Sequence, residues 1–132
     1  MAKWNYDATD VKVIADNEPM YGYQPGDMVS GERANNTEDY DVDAQGWGVF
    51  STNNDIHGTI TINLSAGSPA NLKLMTLANA HKEFTLSVTT PHERVYSNQA
   101  KIQKVPSFGA GTKTGVKAWV ILCIDYNDEM NE

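Results

Sequence analysis

An alternating run of apolar and polar residues at positions 56–64 constrains the fold of this chain more than any other segment. Apolar residues occupy the even-numbered positions Ile60, Ile62 and Leu64, and polar residues occupy the odd-numbered positions Thr59, Thr61 and Asn63. Because successive side chains of a β-strand point to opposite faces, the run predicts a strand with one dry face and one hydrated face. Residues 47–52 precede it across the turn-prone stretch Asn53-Asn54-Asp55, so we expect the two segments to pair as a β-hairpin.

Most of the remaining chain also favours short strands. Patterns typical of strands occur at residues 11–15, 27–30, 84–88, 94–105 and 116–125. The last of these is apolar on both faces, which predicts that the core covers one side and the helix or a neighbouring molecule covers the other. Residues 31–46 are polar and acidic, and we expect them to form a long exposed loop; residues 128–132 are expected to be an acidic tail.

The one convincing helical period lies between residues 68 and 79. Ser68 followed by Pro69 suits an N-cap and a first helical residue. Leu72, Met75 and Leu77 belong to the apolar spacing of three and four residues, and we expect them to bury the helix against the sheet. One helix among several strands, with no internal repeat, favours a mainly β fold. We predict an antiparallel β-sandwich or rolled sheet in a single domain over residues 1–132.

The net charge of −7 is distributed unevenly. Residues 1–66 carry 11 acidic and 3 basic side chains, whereas residues 67–132 carry 6 acidic and 7 basic ones. Affinity for DNA phosphates depends mainly on lysine and arginine displacing counterions, so this chain lacks the basic surface needed to grip nucleic acid. The asymmetry permits acidic and basic ends of neighbouring molecules to meet.

Asp39, Asp41 and Asp43 have the spacing that opens an EF-hand calcium loop. The pattern fails at its sixth position, Ala44, where the sharp turn needs glycine, and at its twelfth, Phe50, where a bidentate glutamate is needed. The three histidines are scattered, with no second His or Cys at ligand spacing: His57, His81 and His92. We therefore predict no metal site and no cofactor.

The patterns also favour a protein that is not an enzyme, and no catalytic residue is predicted. There is no Gly-x-Ser-x-Gly elbow, and Cys123 lies in an apolar run that should bury its thiol. Residues 109–115 are rich in glycine, but no glycine directly precedes Lys113 and no helical pattern follows, so they do not form a phosphate-binding loop. A hydrolase that uses two carboxylates distant in sequence stays open.

The longest apolar run, residues 118–124, is too short to cross a bilayer. Residues 1–7 lack the apolar core of a secretory signal. We therefore expect no contact with a membrane, and we expect the protein to be made and used in the cytoplasm.

From Tyr21 onward the chain resembles the tail tube subunits of contractile-tailed bacteriophages. The likeness covers most of the chain and depends on the order and spacing of several segments. They are residues 22–23, 26–27, 51–54, 58–64, 67–71 and 100–106, with Trp119 in the last strand and residues 11–14 near the start. The tightest of them is Gly67-Ser68-Pro69-Ala70-Asn71, which leads into the helix.

This resemblance implies a structural protein of the virion tail, assembled in the host cytoplasm. Six copies would form a ring, and rings would stack into a hollow tube that conducts DNA during ejection inside a contractile sheath. The implied partners are further copies of the chain, the sheath protein, and the baseplate and tail terminator proteins. Thr59, Thr61 and Asn63 would line the lumen as a wettable wall without fixed cations, along which DNA passes without specific binding. Contacts between rings would come from the acidic loop: Glu38, Asp39, Asp41, Asp43 and Trp47.

Two other classes of protein fit the same sequence. The nearer one is an initiator or terminator ring at the tail end, or a tube subunit of a secretion system with the same fold. The more distant one is an independent β-sandwich that binds carbohydrate through the aromatic side chains of Trp47, Tyr21 and Tyr23. Formation of rings or tubes by the purified protein would distinguish an assembly protein from such a module.

Overall fold

A computed structural model describes residues 6–130 and shows a mainly β fold with antiparallel strands and one α-helix. This confirms the predicted fold class. The elements are β1 (Lys12–Ala15), β2 (Glu18–Pro19), β3 (Val29–Arg33), β4 (Glu38–Val42), β5 (Gly48–Thr52), β6 (Gly58–Ser65), α1 (Ala70–Asn79), β7 (Phe84–Thr89), β8 (Glu93–Ile102), β9 (Val116–Cys123) and β10 (Asn127–Met130), after a short 3₁₀ turn at Ala8–Asp10.

The main sheet has eight strands in the order β2-β1-β7-β8-β9-β6-β3, with β10 added on β8. The long strand β8 allows the sheet to roll, because its second half pairs with β9 and its first half pairs with β10. Between these halves the Asp125 carboxylate accepts hydrogen bonds from the Ser97 hydroxyl at 2.6 Å and from the backbone N–H of Gln99 at 3.1 Å. Asp125 thus satisfies backbone groups that the bend removes from regular pairing.

The core lies on the inner face of the rolled sheet. Ile60, Ile62 and Leu64 of β6 are all buried, as the alternation in the sequence predicts. Opposite Ile62 on β9 is Trp119, which is also completely buried. Its indole N–H donates to the Asn71 side-chain oxygen of α1 at 2.9 Å, so the one polar group of this large side chain is satisfied inside the core.

The helix is found where the sequence predicts it, but one of its predicted core residues is wrong. Leu77 is buried and Met75 is half-buried against the core, whereas Leu72 is 73% exposed. The buried positions are instead Ala70, Leu74 and Leu77, which follow a spacing of four and three residues. Leu72 is two positions from both Ala70 and Leu74, which turns it about 200° away from the buried stripe.

Ser68 connects the start of this helix to the preceding chain. Its hydroxyl oxygen accepts a hydrogen bond from the Ala70 N–H at 3.2 Å, and the hydroxyl donates to the Tyr21 carbonyl. Pro69 occupies the position immediately before the first helical residue. Gly22 lies against this serine with φ of +77°, and a Cβ atom there would come within 2.6 Å of the Ser68 hydroxyl oxygen. Only glycine fits this close approach.

The predicted hairpin between residues 47–52 and 56–64 is wrong. Strand β5 pairs with β4, whereas β6 pairs with β3 and β9. Both edges of β6 are already paired inside the main sheet, one with β3 and the other with β9, so neither edge is left for β5.

Two segments predicted to be irregular are strands. Residues 31–46 are not a continuous loop, because residues 31–33 belong to β3 and residues 38–42 form β4. The acidic residues there obscured a regular alternation, since strands can carry acidic side chains wherever these face solvent. The predicted acidic tail likewise begins as β10, which pairs with β8; residues 131–132 lie outside the described residues.

The buried position of Leu74 and the exposed position of Leu72 can be tested by comparing the stability of two variants. We expect Leu74→Ala to lower the free energy of unfolding by about 2–5 kcal/mol, because it leaves a cavity in the core. The exposed Leu72→Ala should change it by less than about 0.5 kcal/mol. Urea denaturation of both variants measures the difference, and equal losses would contradict the assigned buried stripe.

The bend in β8 predicts an acid-sensitive contribution to stability. Burial raises the pKa of Asp125, but hydrogen bonds from the Ser97 hydroxyl and the Asn98 N–H hold it below its ordinary value. The carboxylate therefore stabilises the fold above the unfolded pKa of about 3.9, and this contribution disappears as pH falls through the lower folded value. Asp125→Asn should lower the Tm at pH 7, and its difference from the wild type should shrink as pH falls below about 4. A Tm difference that stays constant across this range would contradict the assignment.

Candidate functional site

Strands β4 and β5 form a two-stranded sheet separate from the main one, which we call the projecting hairpin (residues 38–52). Every residue of its two strands is exposed. Its base is closed by a backbone hydrogen bond from the Asn53 N–H to the Thr37 carbonyl at 2.8 Å, and the Ala34 N–H donates to the His57 carbonyl at 3.0 Å beside the ends of β3 and β6. Its side chains therefore face solvent in the isolated chain and are accessible to a partner.

The two faces of the projecting hairpin differ in chemistry. Tyr40 lies directly opposite Phe50, which puts two exposed aromatic rings on one face together with Val42. The alternate parity puts Asp39 and Asp41 on the other face. Phe50 is 81% exposed, and Trp47 in the turn is 76% exposed. One face is thus apolar and aromatic, and the other is acidic.

Asp43 shapes the turn of this hairpin. Its carboxylate accepts hydrogen bonds from the backbone N–H of Gln45 at 2.9 Å and of Trp47 at 3.0 Å. Gly46 has φ of +90°, which a glycine adopts without strain. Asp43 therefore positions Trp47. At the base of the hairpin, the Glu38 carboxylate accepts from the Thr52 hydroxyl at 3.0 Å.

The outer face of the main sheet, which points away from the core, holds the predicted lumen residues. Thr59, Thr61 and Asn63 are half-buried there. Their partners across the ladder on β9 are Leu122, Val120 and Ala118, so a hydroxyl-bearing strand lies beside an apolar one. On the other side of β6, Glu32 pairs with Thr59 and Ser30 pairs with Thr61.

Within the single chain, strand β9 is buried on one side only, so the helix does not cover its second side, and cover by a neighbouring molecule stays a prediction. Its inner residues are buried, whereas Leu122 is 44% exposed and Ile124, just after it, is 67% exposed. The described part of the chain places nothing over this apolar stripe. Lys101 pairs with Leu122 and so belongs to the same outer face. This cation lies two strands away from Thr59, Thr61 and Asn63, and the lining of a lumen by those three residues stays a prediction.

Positive charge is concentrated in what we call the basic segment (residues 94–124), which contains no acidic residue. Its cationic residues are Arg94, Lys101, Lys104, Lys113 and Lys117. Lys117 donates to the Ser107 carbonyl at 3.1 Å and lies over the Phe108 ring. The ion pairs in the described residues lie elsewhere, chiefly where Lys73 and Lys82 both contact Asp16 at 3.0 Å.

Cys123 and His57, which could act as a nucleophile or a metal ligand, have other surroundings in the structure. Cys123 is buried, and burial raises the pKa of its thiol to about 11, which keeps it protonated and weakly nucleophilic. His57 Nδ1 contacts the Asp55 carboxylate at 2.6 Å. Within residues 6–130, no three His, Cys, Asp or Glu side chains are grouped so that they could hold a metal ion. No helix in that range is both long enough and apolar enough to cross a membrane.

The aromatic residues considered for carbohydrate binding belong to two different parts of the fold. Trp47 lies in the turn of the projecting hairpin. Tyr21 and Tyr23 lie near the start of the helix, where Tyr23 donates to the Met20 carbonyl at 3.0 Å. They do not line one continuous strand or turn.

No known protein family profile matches the sequence, and no curated protein matches it. Solved structures do match the fold. A chain from an extracellular contractile injection system, the PVC sheath-tube complex in its extended state, has a TM-score of 0.68 at 13% identity, covering 97% of this chain and 93% of that one. A chain from the tube-terminating cap of the anti-feeding prophage has a TM-score of 0.67 at 11% identity, covering 98% and 94%. A chain from the PVC sheath/tube terminator has a TM-score of 0.66 at 16% identity, covering 98% and 99%.

These matches extend over nearly the whole of each chain. At identities of 11–16% they show a shared fold. The chain is therefore a mainly β protein with the fold of chains found in contractile injection systems, in structures of a sheath-tube complex, a terminator and a cap.

Proposed function

We propose that this chain is a structural subunit of the tube in a contractile, phage-tail-like particle, where it assembles into hexameric rings that stack end to end. The observation that carries this proposal is the amount of apolar surface that the single chain leaves uncovered. The aromatic face of the projecting hairpin and the outer stripe of β9 are both exposed. Apolar patches of this kind on a soluble domain are typical of surfaces that bind another protein.

The main sheet has the open edges that assembly requires. Strands β2 and β3 end the strand order, and each offers one edge for pairing with a neighbouring copy. An interface between two different surfaces of the same chain closes into a ring or repeats along an axis, depending on its rotation. Edge pairing within a ring and hairpin contacts between rings would together produce a tube.

The outer face of β6 and β3 would form the wall of the lumen. Thr59, Thr61 and Asn63 would keep it wet, and Glu32 on the same face would repel phosphates at short range. The cation Lys101 lies at the margin of this face, two strands away from β6. DNA would therefore pass during ejection without specific binding. The sheath protein, the baseplate and the terminator would be further partners, in a virion tail assembled in the host cytoplasm.

A second candidate is a ring at the end of the tube. Two of the structures similar to this chain are a tube-terminating cap and a sheath/tube terminator, which favours this alternative. Such a ring would expose one face that does not accept another ring. The purified chain would then form closed rings that do not grow.

The assembly state of the purified protein tests the proposal. Sedimentation velocity over a wide concentration range, with negative-stain microscopy, should show rings about six subunits in size and tubes of variable length. Rings that never stack would support the end-ring alternative. A monomer at every concentration and salt condition would contradict both.

The two faces of the projecting hairpin provide a matched pair of variants. Phe50 lies on the aromatic face, and the neighbouring Val49, which is also exposed, lies on the acidic face. We expect Phe50→Ser to weaken assembly by roughly 2 kcal/mol, or about thirtyfold, because buried aromatic side chains dominate interface energies. Val49→Ser should have a much smaller effect.

Both variants should melt like the wild type, because neither side chain is buried in the single chain. Critical assembly concentration measured by light scattering gives the comparison. Equal effects of the two substitutions would show that the aromatic face is not the contact surface.

A further inference from the structure

A cavity of about 190 Å³ opens at one end of the core, between β3, the turn joining β7 to β8, and β10. The apolar part of its wall comes from Val29, Ile60, Val88 and Val95, and Ser30 and Thr90 also line it. Glu93, Tyr126 and Asp128 also line it, so carboxylates and a phenol border an apolar chamber.

The pairing of β10 with β8 brings the two carboxylates together. Val95 lies directly opposite Asp128, and Glu93 is two positions before Val95, so Glu93 and Asp128 are diagonal neighbours on one face. The Asp128 side chain shares a hydrogen bond with Glu93, which raises the pKa of Glu93, and partial burial raises it further. No lysine or arginine within residues 6–130 forms an ion pair with either carboxylate.

Tyr126 contributes a phenol hydroxyl at the cavity. The residue as a whole is only 6% exposed, yet no buried side-chain oxygen within residues 6–130 lacks a hydrogen-bond partner, so a hydroxyl without a protein partner here must reach the open cavity. The hydroxyl oxygen lies beside Gly31, 3.0 Å from where a Cβ atom would be, and both residues line the cavity. Burial raises the pKa of Tyr126, and the charges of Asp128 and Glu93, which line the same cavity, raise it further. The nearby Arg33 guanidinium is occupied by the Tyr126 carbonyl, at 3.0 and 3.1 Å.

This combination suits a primary ammonium group on an alkyl stem. The apolar walls would contact the methylene groups, and the two carboxylates and the phenol oxygen would accept hydrogen bonds from the ammonium. A calcium ion is a poorer fit, because it takes six to eight oxygen ligands and would gain nothing from the valine and isoleucine walls.

The chain itself carries this chemistry in its basic segment. Lys101, Lys104 and Lys113 are exposed and form no ion pair within the described residues. We propose that the cavity between β3, β8 and β10 receives one of these three lysine side chains from a second copy of the chain. This contact rests on the proposed assembly into rings and tubes, and it would join two different surfaces of adjacent subunits head to tail.

Neighbouring residues of β10 allow a matched test. Asp128→Asn removes a cavity carboxylate, whereas Glu129→Gln removes a carboxylate on the opposite face, where it accepts a hydrogen bond from the Tyr96 hydroxyl. We expect the association constant from sedimentation to fall about tenfold for Asp128→Asn and less than twofold for Glu129→Gln. Tyr126→Phe, which preserves the packing and removes the hydroxyl, should also weaken association.

The lysine partner is found by substituting glutamine for Lys101, Lys104 and Lys113 in turn, with the exposed Lys12→Gln as the control. One of the three should reproduce the tenfold loss, and combining it with Asp128→Asn should cause no further loss. A melting curve of each variant checks that the substituted chain is still folded.

The results that would overturn the lysine contact can be told apart from those that would overturn the proposed function. If the wild type assembles and the Asp128→Asn and lysine variants assemble equally well, the lysine contact is wrong while the proposed function stands. If the wild type stays monomeric, the proposed function fails and the contact fails with it.

Titrations with n-butylammonium and with CaCl₂, followed by the Gly31 and Asp128 amide NMR signals, identify other occupants. Saturable binding of either one, without any loss of association in the lysine variants, would assign the cavity to a free amine or a metal ion.

Discussion

The antiparallel pairing of β6 with β9 is the contact on which the rest of the structure depends. Its register runs from Gly58 opposite Cys123 to Ser65 opposite Val116, which makes it the longest ladder in the described residues. On the inner face this register puts Ile62 beside Trp119, and the Trp119 indole then fixes the helix through Asn71. Because a slip of one residue would turn every apolar side chain of β6 to the other face, burial and register support each other.

The same ladder determines what the molecule presents on its outside. Opposite parity puts hydroxyl and amide side chains of β6 next to an apolar stripe on β9. A monomer gains nothing from exposing Leu122 and Ile124, and the projecting hairpin likewise exposes Phe50 and Trp47. Surface of this kind becomes favourable once another copy covers it, since burial of apolar area is the main driving force of association.

The charge distribution would also influence how copies associate in the proposed assembly. The first half of the chain is acidic and the basic segment has no acidic residue, so one subunit carries unlike charges that suit contacts between different surfaces of neighbouring copies. Chains with only 11–16% identity share this fold, so the fold itself tolerates very different residues. In the proposed assembly, the contacts would therefore be specified by this chain's own residues, such as Glu93, Tyr126 and Asp128 around the cavity.

The sequence alone determined the β class, the helix and the buried parity of β6, because these follow from periodicities of two and 3.6 residues that any local segment reveals. Only the tertiary structure decided which strands pair. It joined β5 to β4 instead of β6, made a hairpin from the acidic stretch, and chose Leu74 over Leu72 for the core. It also brought Glu93 and Asp128 together across more than 30 residues of sequence. A local pattern fixes which way a side chain points, but the choice of partner depends on the total burial of the whole chain, which no single segment encodes.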